Sequence, residues 1–383
     1  MSAGSDNRRP IGFHYNKLLV TLLSGACAEP TDSFISRKMA KGKISISDIA
    51  KQLDISKTTV SFILNGKARE KGISKALEQK VLALVKELNY QPSQFARSLR
   101  TGKTNIIGLL VEDISNPFFA TLARNIESIA DKYNYRIIFC STENSDQRAR
   151  NYLQMFWNQG VDGCIITPTS GIGKEIREYA GKGMKLVLFD RYFDHVPTDY
   201  VVVDNTLGTY EGTTHLINNG YKKIVFISID LKLSQMTDRE KGYRLAMKEA
   251  GLEPNVHSLK FQVSKRYVKE LMEFFRKKQD ADAAFFATNY LGIGGLEVFS
   301  KLNIKIPADM AVVSFDDNEI FNIYSPTITA VQQPTREMSA ELIRILLERI
   351  NGHDHEKTLK SVLYTRLIIR ESSLKKQITV DGI

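Results

Sequence analysis

Hydroxyl and ammonium donors crowd one short stretch of the chain, Ser56-Lys57-Thr58-Thr59. Groups of this kind hydrogen-bond to base edges and phosphate oxygens when a helix turns them outward. The segment that would hold them runs from Ile46 to Leu64, ISDIAKQLDISKTTVSFIL. Its apolar residues fall at helical spacing in two sets: Ile49, Ala50 and Leu53 share one face, and Val60, Ile63 and Leu64 share another. Two short helices joined by a tight turn are therefore predicted. Ser47 and Ser56 are placed to cap them, and Asp54 stands in the turn, where Asp tolerates left-handed backbone better than most residues. A helix-turn-helix is the favoured reading, and a small helical hairpin without a nucleic-acid role is the alternative on these residues alone. After Ser74, a third cap, Leu77, Val81, Leu84, Val85 and Leu88 recur as the buried side of a third helix.

Charge sharpens the choice. Residues 39–103 hold 13 Lys and Arg against 5 Asp and Glu, residues 1–38 hold 5 against 3, and the remainder balances. Nearly all of the +10 net charge thus sits where a phosphate-binding module would need it. Pro92 suits the first turn of a further short helix, Ser93 to Arg100, in which Phe95 and Leu99 share a face and Arg97 and Arg100 flank it. Alone, such a peptide is marginally helical at best. A leucine there can wedge between base steps of the minor groove; an ordinary linker is the other reading.

Three cysteines, Cys27, Cys140 and Cys164, are too few and too scattered for a disulfide scaffold or a metal cluster, and Cys140 and Cys164 lie in apolar runs that predict burial. Arg8, Arg9 and LLVTLLSGACA outline a signal peptide with a lipoprotein cysteine at Cys27. Ser24 stands where such a site expects Leu, and a secreted DNA-binding module makes no sense, so the leader reads as an over-extended start or a disordered arm before Met39. No stretch elsewhere has the character of a transmembrane helix.

From Asn105 onward, apolar β-branched runs alternate with helical periods: IIGLLV from Ile106, YRIIFC from Tyr135, DGCIITP from Asp162, KLVLFD from Lys185, YVVVD from Tyr200, KIVFISI from Lys223, AAFFAT from Ala283 and MAVVSFD from Met310. This pattern predicts an α/β fold with parallel sheets covered on both faces, and its length suits two doubly wound lobes with a ligand cleft between them. Loops at the carboxyl ends of the strands should line that cleft, and they carry Asp113 to Asn116, Asp190-Arg191, Asn289 and Asp316-Asp317. A dinucleotide-dependent enzyme would share the sheet, but Gly292-Ile293-Gly294-Gly295 lacks the third glycine and the downstream ribose-binding acid. No His or Cys constellation supports hydrolysis, so no catalytic residue, metal or cofactor is expected. A solute-binding protein of a sugar transporter remains the alternative function; it would need a working secretion signal and no basic helical module.

The strings ISDIAKQLDISKTTVSFILNGK, NYQPSQFARSLRTGKTNIIGLLVEDISNPFF, VLFDR, DREKGYRLAM and VVSFDD with SPTITAVQQP resemble, in order and spacing, the lactose-repressor (LacI/GalR) family of bacterial transcription regulators, from about Lys43 to Ser373. The resemblance implies a cytoplasmic homodimer that binds double-stranded pseudo-palindromic operator DNA, and a periplasmic-binding-protein-like domain that takes a small, sugar-like effector. It implies major-groove contacts from Ser56, Lys57, Thr58, Thr59, Ser61 and Phe62, and a minor-groove and hinge element of Ala96, Arg97, Leu99 and Arg100. The family usually has Arg where this chain has Phe62, so the operator half-site should depart from the common one at that base pair; Phe62 either meets a thymine methyl or packs inward. Lys57 suits a guanine edge and equally a phosphate.

Carried over by motif, the effector residues are Asn116, Phe119, Asp190, Arg191, Arg239, Asn289 and Asp316. Carboxylate, amide and guanidinium groups pair with neighbouring hydroxyls, and an aromatic face covers a ring. The plainer readings are a surface salt bridge for Arg191 and a loop cap for Asp316. Tyr290 stands where the family commonly has Asp, and no aromatic near Phe261 matches the family's stacking residue. The expected organisation is a leader at 1–38, a helix-turn-helix domain at 39–91, a hinge at 92–103, a bilobed domain at 104–375 and a tail at 376–383. The first lobe takes about 104–203 and 334–360, and the second about 204–333 and 361–375. The tail SLKKQITVDGI has no leucine heptads, which favours a dimer over a tetramer. A ligand preferring one lobe arrangement would bias the hinge equilibrium on DNA, with a sign the residues leave open.

Overall fold

The computed structural model describes residues 44–90, 102–261, 267–277, 280–352 and 357–374. The chain divides into two compact units, Met1–Pro92 and Ser93–Ile383, each with its own architecture. The leader at 1–38 and the hinge residues Ala96, Arg97, Leu99 and Arg100 lie outside the described residues.

In the first unit, α1 (Ile46–Gln52), α2 (Lys57–Leu64) and α3 (Lys75–Glu87) close around Ile49, Val60, Ile63, Ala68, Val81 and Leu84. Ser45, not Ser47, begins α1. The Asp48 carboxylate accepts the Ser45 N–H at 2.9 Å and its hydroxyl at 2.7 Å, so the acid three residues on decides which serine starts the helix. Ser56 and Ser74 cap α2 and α3 by accepting the N–H groups of Thr59 and Leu77. Asp54 takes the left-handed conformation, with φ 51°, that the turn between α1 and α2 requires.

The second unit holds two sheets. Strands β1 (Ile106–Val111), β2 (Arg136–Ser141), β3 (Gly163–Ile166), β4 (Leu186–Phe189), β5 (Asp199–Val203) and β11 (Lys360–Leu363) form the first, ordered β11-β5-β4-β3-β1-β2 and wholly parallel. Strands β6 (Ile224–Ile229), β7 (Asn255–Leu259), β8 (Ala283–Phe286), β9 (Ala311–Phe315), β10 (Thr329–Gln332) and β12 (Arg366–Ile368) form the second, ordered β12-β10-β9-β8-β6-β7. There the edge strand β12 runs antiparallel to β10, the one departure from parallel pairing among the described strands. Because β11 pairs with β5, residues 361–363 belong to the first sheet rather than to the second lobe.

Alternate side chains of the inner strands feed opposite faces, the reason these runs are apolar throughout. Val187 and Phe189 join the core beneath α4 (Pro117–Lys132) and α12 (Thr335–Ile350), while Leu186 and Leu188 join the one beneath α5 (Asp146–Gln159) and α6 (Gly173–Gly181). The second sheet is flanked by α7 (Asn205–Asn218), α8 (Ser234–Glu249), α9 (Tyr267–Arg276), α10 (Asn289–Leu302) and the short α11 (Glu319–Ile323). Cys164 is buried as expected, but Cys140 is only half-buried because β2 is an edge strand. Gly242 lets α8 close onto α7: a Cβ there would lie 2.1 Å from the Thr206 carbonyl oxygen. That close approach sets Arg239, one turn earlier on α8, against Asn205 at the start of α7. No described helix is long and apolar enough to cross a membrane.

Candidate functional site

On α2, Lys57 and Thr58 are exposed, while Thr59 and Ser61 are half-buried at its edge. The Ser56 and Thr59 hydroxyls pair with each other at 2.9 Å, and Ser61 receives the Asn65 amide, so only part of the polar set is unengaged. Phe62 is half-buried and stays out of the three-helix core. The Lys71 ammonium stands 5.4 Å from its ring centroid, a cation–π contact that places a positive charge beside Phe62 from the loop before α3.

The second constellation is deep. Asn116, Phe119, Asp190, Arg191, Arg239, Asn289 and Asp316 are all buried, with Arg191 at 2% and Arg239 at 1% exposure. Asn116 caps α4 by accepting the Phe118 N–H, and its amide exchanges hydrogen bonds with Asn289 at the start of α10, at 3.0 and 3.4 Å, joining the two lobes. Asp190 and Asp316 end β4 and β9 in the same left-handed conformation, each with φ 67°. That backbone turns both carboxylates off the strand ends and into the site.

Arg191 is a buried ion-pair hub, not a surface salt bridge. Its Nε donates to Asp190 at 3.1 Å, Nη1 to Asn144 at 2.8 Å and Nη2 to Glu112. Arg239 donates to Asn205 at 2.8 Å and to the Ala287 carbonyl at 2.7 Å, pairs with Asp316 at 3.4 Å and lies 3.6 Å over the Phe315 ring. Gln235 of α8 reaches Asp190 at 3.3 Å, and the Tyr192 N–H reaches Ser234 at 3.2 Å, so three separate contacts span the lobes. Gln333 holds the other oxygen of Asp316 at 2.6 Å. Burial pushes the Asp190 carboxyl above its usual range against the pull of Arg191 and Arg239. Burial lowers Arg191, but Glu112 and Asp190 outweigh it and leave the guanidinium more basic than usual. Phe119 meets Phe189 edge-on with 6.2 Å between centroids, which fixes the aromatic wall. A cavity of about 700 Å³ opens beside this cluster, lined among others by Phe118, Thr121, Asp316, Asn318 and Gln333.

All seven motif-derived residues thus fall in one buried region. Sequence reasoning missed Glu112, Asn205, Gln235 and Gln333. Glu112 carried a readable signal, an acid ending a fully apolar strand; the others carried none. Tyr290 stacks on Tyr267 at 5.6 Å, and its hydroxyl is pushed well above its ordinary value by burial first and then by Glu112 and Tyr267. Tyr267 is itself nearly fully buried.

A basic helix-turn-helix unit and a two-lobed α/β unit with a polar interlobe cleft together define the class of ligand-responsive bacterial regulators. Residues 45–93 match the model of the bacterial regulatory proteins of the lacI family, and residues 213–373 match that of the periplasmic binding protein-like domain. The chain is 33% identical over 332 residues to the ribose operon repressor of Halalkalibacterium halodurans, covering 86% of this chain and 97% of that one. It is 30% identical to the transcriptional repressor PurR of Photobacterium profundum, covering 86% and 98%. A solved LacI-family regulator from Enterococcus faecium with bound ribose superposes with a TM-score of 0.65 at 25% identity, over 71% of this chain and all of that one. The chain belongs to the lacI family. It is a DNA-binding transcriptional regulator and not an enzyme, which sets aside the transporter reading.

Proposed function

We propose that this regulator is a cytoplasmic homodimeric repressor of a pseudo-palindromic operator, released from or held on DNA by a small sugar bound between its lobes. The observation that carries the effector half is the reciprocal amide pair of Asn116 and Asn289, two lobes meeting through groups that equally suit a sugar hydroxyl. The buried cluster of Asp190, Arg191, Arg239 and Asp316 around it, with Phe119 as the apolar wall, supports the same reading. The ribose named for both a relative and a solved neighbour favours a small sugar. On the DNA side, Lys57 and Thr58 would read bases, Ser56, Thr59 and Ser61 would support or touch phosphate, Phe62 would make an apolar contact, and Ala96, Arg97, Leu99 and Arg100 would form the hinge. The boundaries are 39–91 for the DNA-binding domain, 92–103 for the hinge and 104–375 for the bilobed domain.

A thermal-shift screen against sugars and sugar derivatives, repeated on the complex with operator DNA obtained by binding-site selection, tests both halves. A ligand that raises the melting temperature and also changes operator affinity is expected; its direction gives the sign of coupling. A ligand that binds the free protein and leaves operator affinity unchanged would refute the coupling.

A further inference from the structure

The cleft carries one carboxylate more than it has cations. Glu112, Asp190 and Asp316 face Arg191 and Arg239, all five more than nine-tenths buried, and the other four all act electrostatically on Asp190. Arg191 already serves three partners, Glu112 among them, so its charge is largely spent within its own lobe. A second feature is independent of charge. Gln235 and Gln333 each give their amide N–H to a carboxylate, which can only accept, so their carbonyl oxygens are fixed as acceptors, and neither oxygen has a hydrogen-bond partner. Asn144 and Asn318 leave amide donors open as well, so hydrogen-bond counting alone admits a ligand that both donates and accepts.

Charge then decides. A phosphate or carboxylate brings acceptors only, and adds negative charge to a buried site whose two guanidiniums are already matched by carboxylates. A hydroxyl donates and accepts, and an ammonium donates and neutralises. We infer that Glu112 is a charge-selecting residue: the cleft takes a hydroxyl-rich ligand that is neutral or amine-bearing, and refuses its phosphorylated or carboxylated forms. The inference rests on the cleft being the effector site.

The test compares the full chain with Glu112→Gln, by thermal shift and calorimetry, against matched sets: ribose with ribose 5-phosphate, and glucose with glucosamine, glucose 6-phosphate and glucuronate. Wild type should respond to a neutral or amino member and bind its anionic counterpart at least about tenfold more weakly. Glu112→Gln should narrow that gap. An anionic member binding wild type as tightly as its parent overturns the proposal, and this arm needs no variant to fold. Inorganic phosphate reads charge without requiring a sugar site. It should stabilise Glu112→Gln more than wild type, the basic amino-terminal unit responding alike in both, and an equal or smaller response in the variant overturns the proposal. Silence from every sugar, with the phosphate difference intact, refutes the sugar reading and leaves the charge selection standing.

Discussion

The two functional regions differ in where their polar groups find partners. On the helical unit Lys57 and Thr58 stand exposed, and their neighbours bond within a helical turn or two, as in the pairs Ser56–Thr59 and Ser61–Asn65. In the lobed unit each polar site residue is buried and bonded to others from distant parts of the chain, Glu112 with Arg191 and Asn116 with Asn289. The difference follows from what each surface meets. DNA is permanently charged and hydrated, so donors aimed at it can wait in water at no cost to the fold. A cleft that closes over a small molecule holds most of its groups against one another, because a buried polar group without a partner destabilises by roughly 1–3 kcal/mol, and leaves a few, the Gln235 and Gln333 carbonyl oxygens among them, for the ligand.

This contrast is most exposed to test at Arg239. Arg239→Met removes the partner of Asp316, Asn205 and the Ala287 carbonyl at once, leaving a buried carboxylate uncompensated. A loss of about 3–5 kcal/mol in the unfolding free energy of the lobed unit is expected by denaturant titration. Lys57→Ala, by contrast, should leave the unfolding midpoint where it is and weaken operator binding measured by fluorescence anisotropy. If Arg239→Met were thermodynamically silent, or Lys57→Ala destabilising, the division between water-partnered and protein-partnered groups would fail.

The middle case is Phe62, a residue of α2 that is neither fully exposed nor in the core. Phe62→Arg restores the guanidinium common in the family, able to hold guanine in a bidentate pair, and should shift preference at one base pair of the half-site by roughly 1–3 kcal/mol in a binding-site selection. Lys71 should move with it, since its cation–π platform is gone and two cations would then adjoin. Selection of the same half-site by both proteins would show that position 62 does not face a base.

Much of this arrangement was legible before any coordinates. The strand runs from Ile106 to Met310 and the polar residues at their carboxyl ends were readable because a buried parallel strand must be apolar throughout, so the first charged residue after it marks the loop. β7, with the sequence NVHSL, carries no such signature because Asn, His and Ser interrupt its apolar residues, whereas β2, also at a sheet edge, keeps the run IIF. The lactose-repressor motifs located Asp190, Arg191 and Asp316 along the chain, but not that Arg191 would meet Glu112, 79 residues away, since that proximity comes from β1 and β4 flanking β3. The start of α1 shows the same limit at short range: Ser45 and Ser47 are equally good caps by type, and only the reach of Asp48 separates them.

The smallest expected effect uses histidine, of which residues 39–103 have none. His215 on α7, whose Nε2 lies 2.8 Å from the Ser373 hydroxyl, and His257, stacked on Phe274 at 3.9 Å, are both held below the usual value of 6.5 by burial. Ser373 partly offsets this at His215; at His257, Glu270 opposes it and Lys277 adds to it. Both rings are therefore neutral in the fold and take up protons on unfolding, so their contribution is complete above about pH 6.5 and is lost as pH falls through their lowered values. Asp190 and Asp238, raised by burial, act in the opposite sense, favouring the fold as pH falls through their raised values, so the histidine effect is read as the difference between wild type and the double histidine variant. Scanning calorimetry from about pH 7.5 to about pH 6 should show the melting of the lobed unit falling and that of the helical unit steady, with His215→Gln and His257→Gln together flattening the slope. A helical unit that tracked the lobed one over this range would mean that the two do not unfold independently, and the separation between a surface partnered by water and a cleft partnered mostly by itself would then be one of chemistry but not of stability.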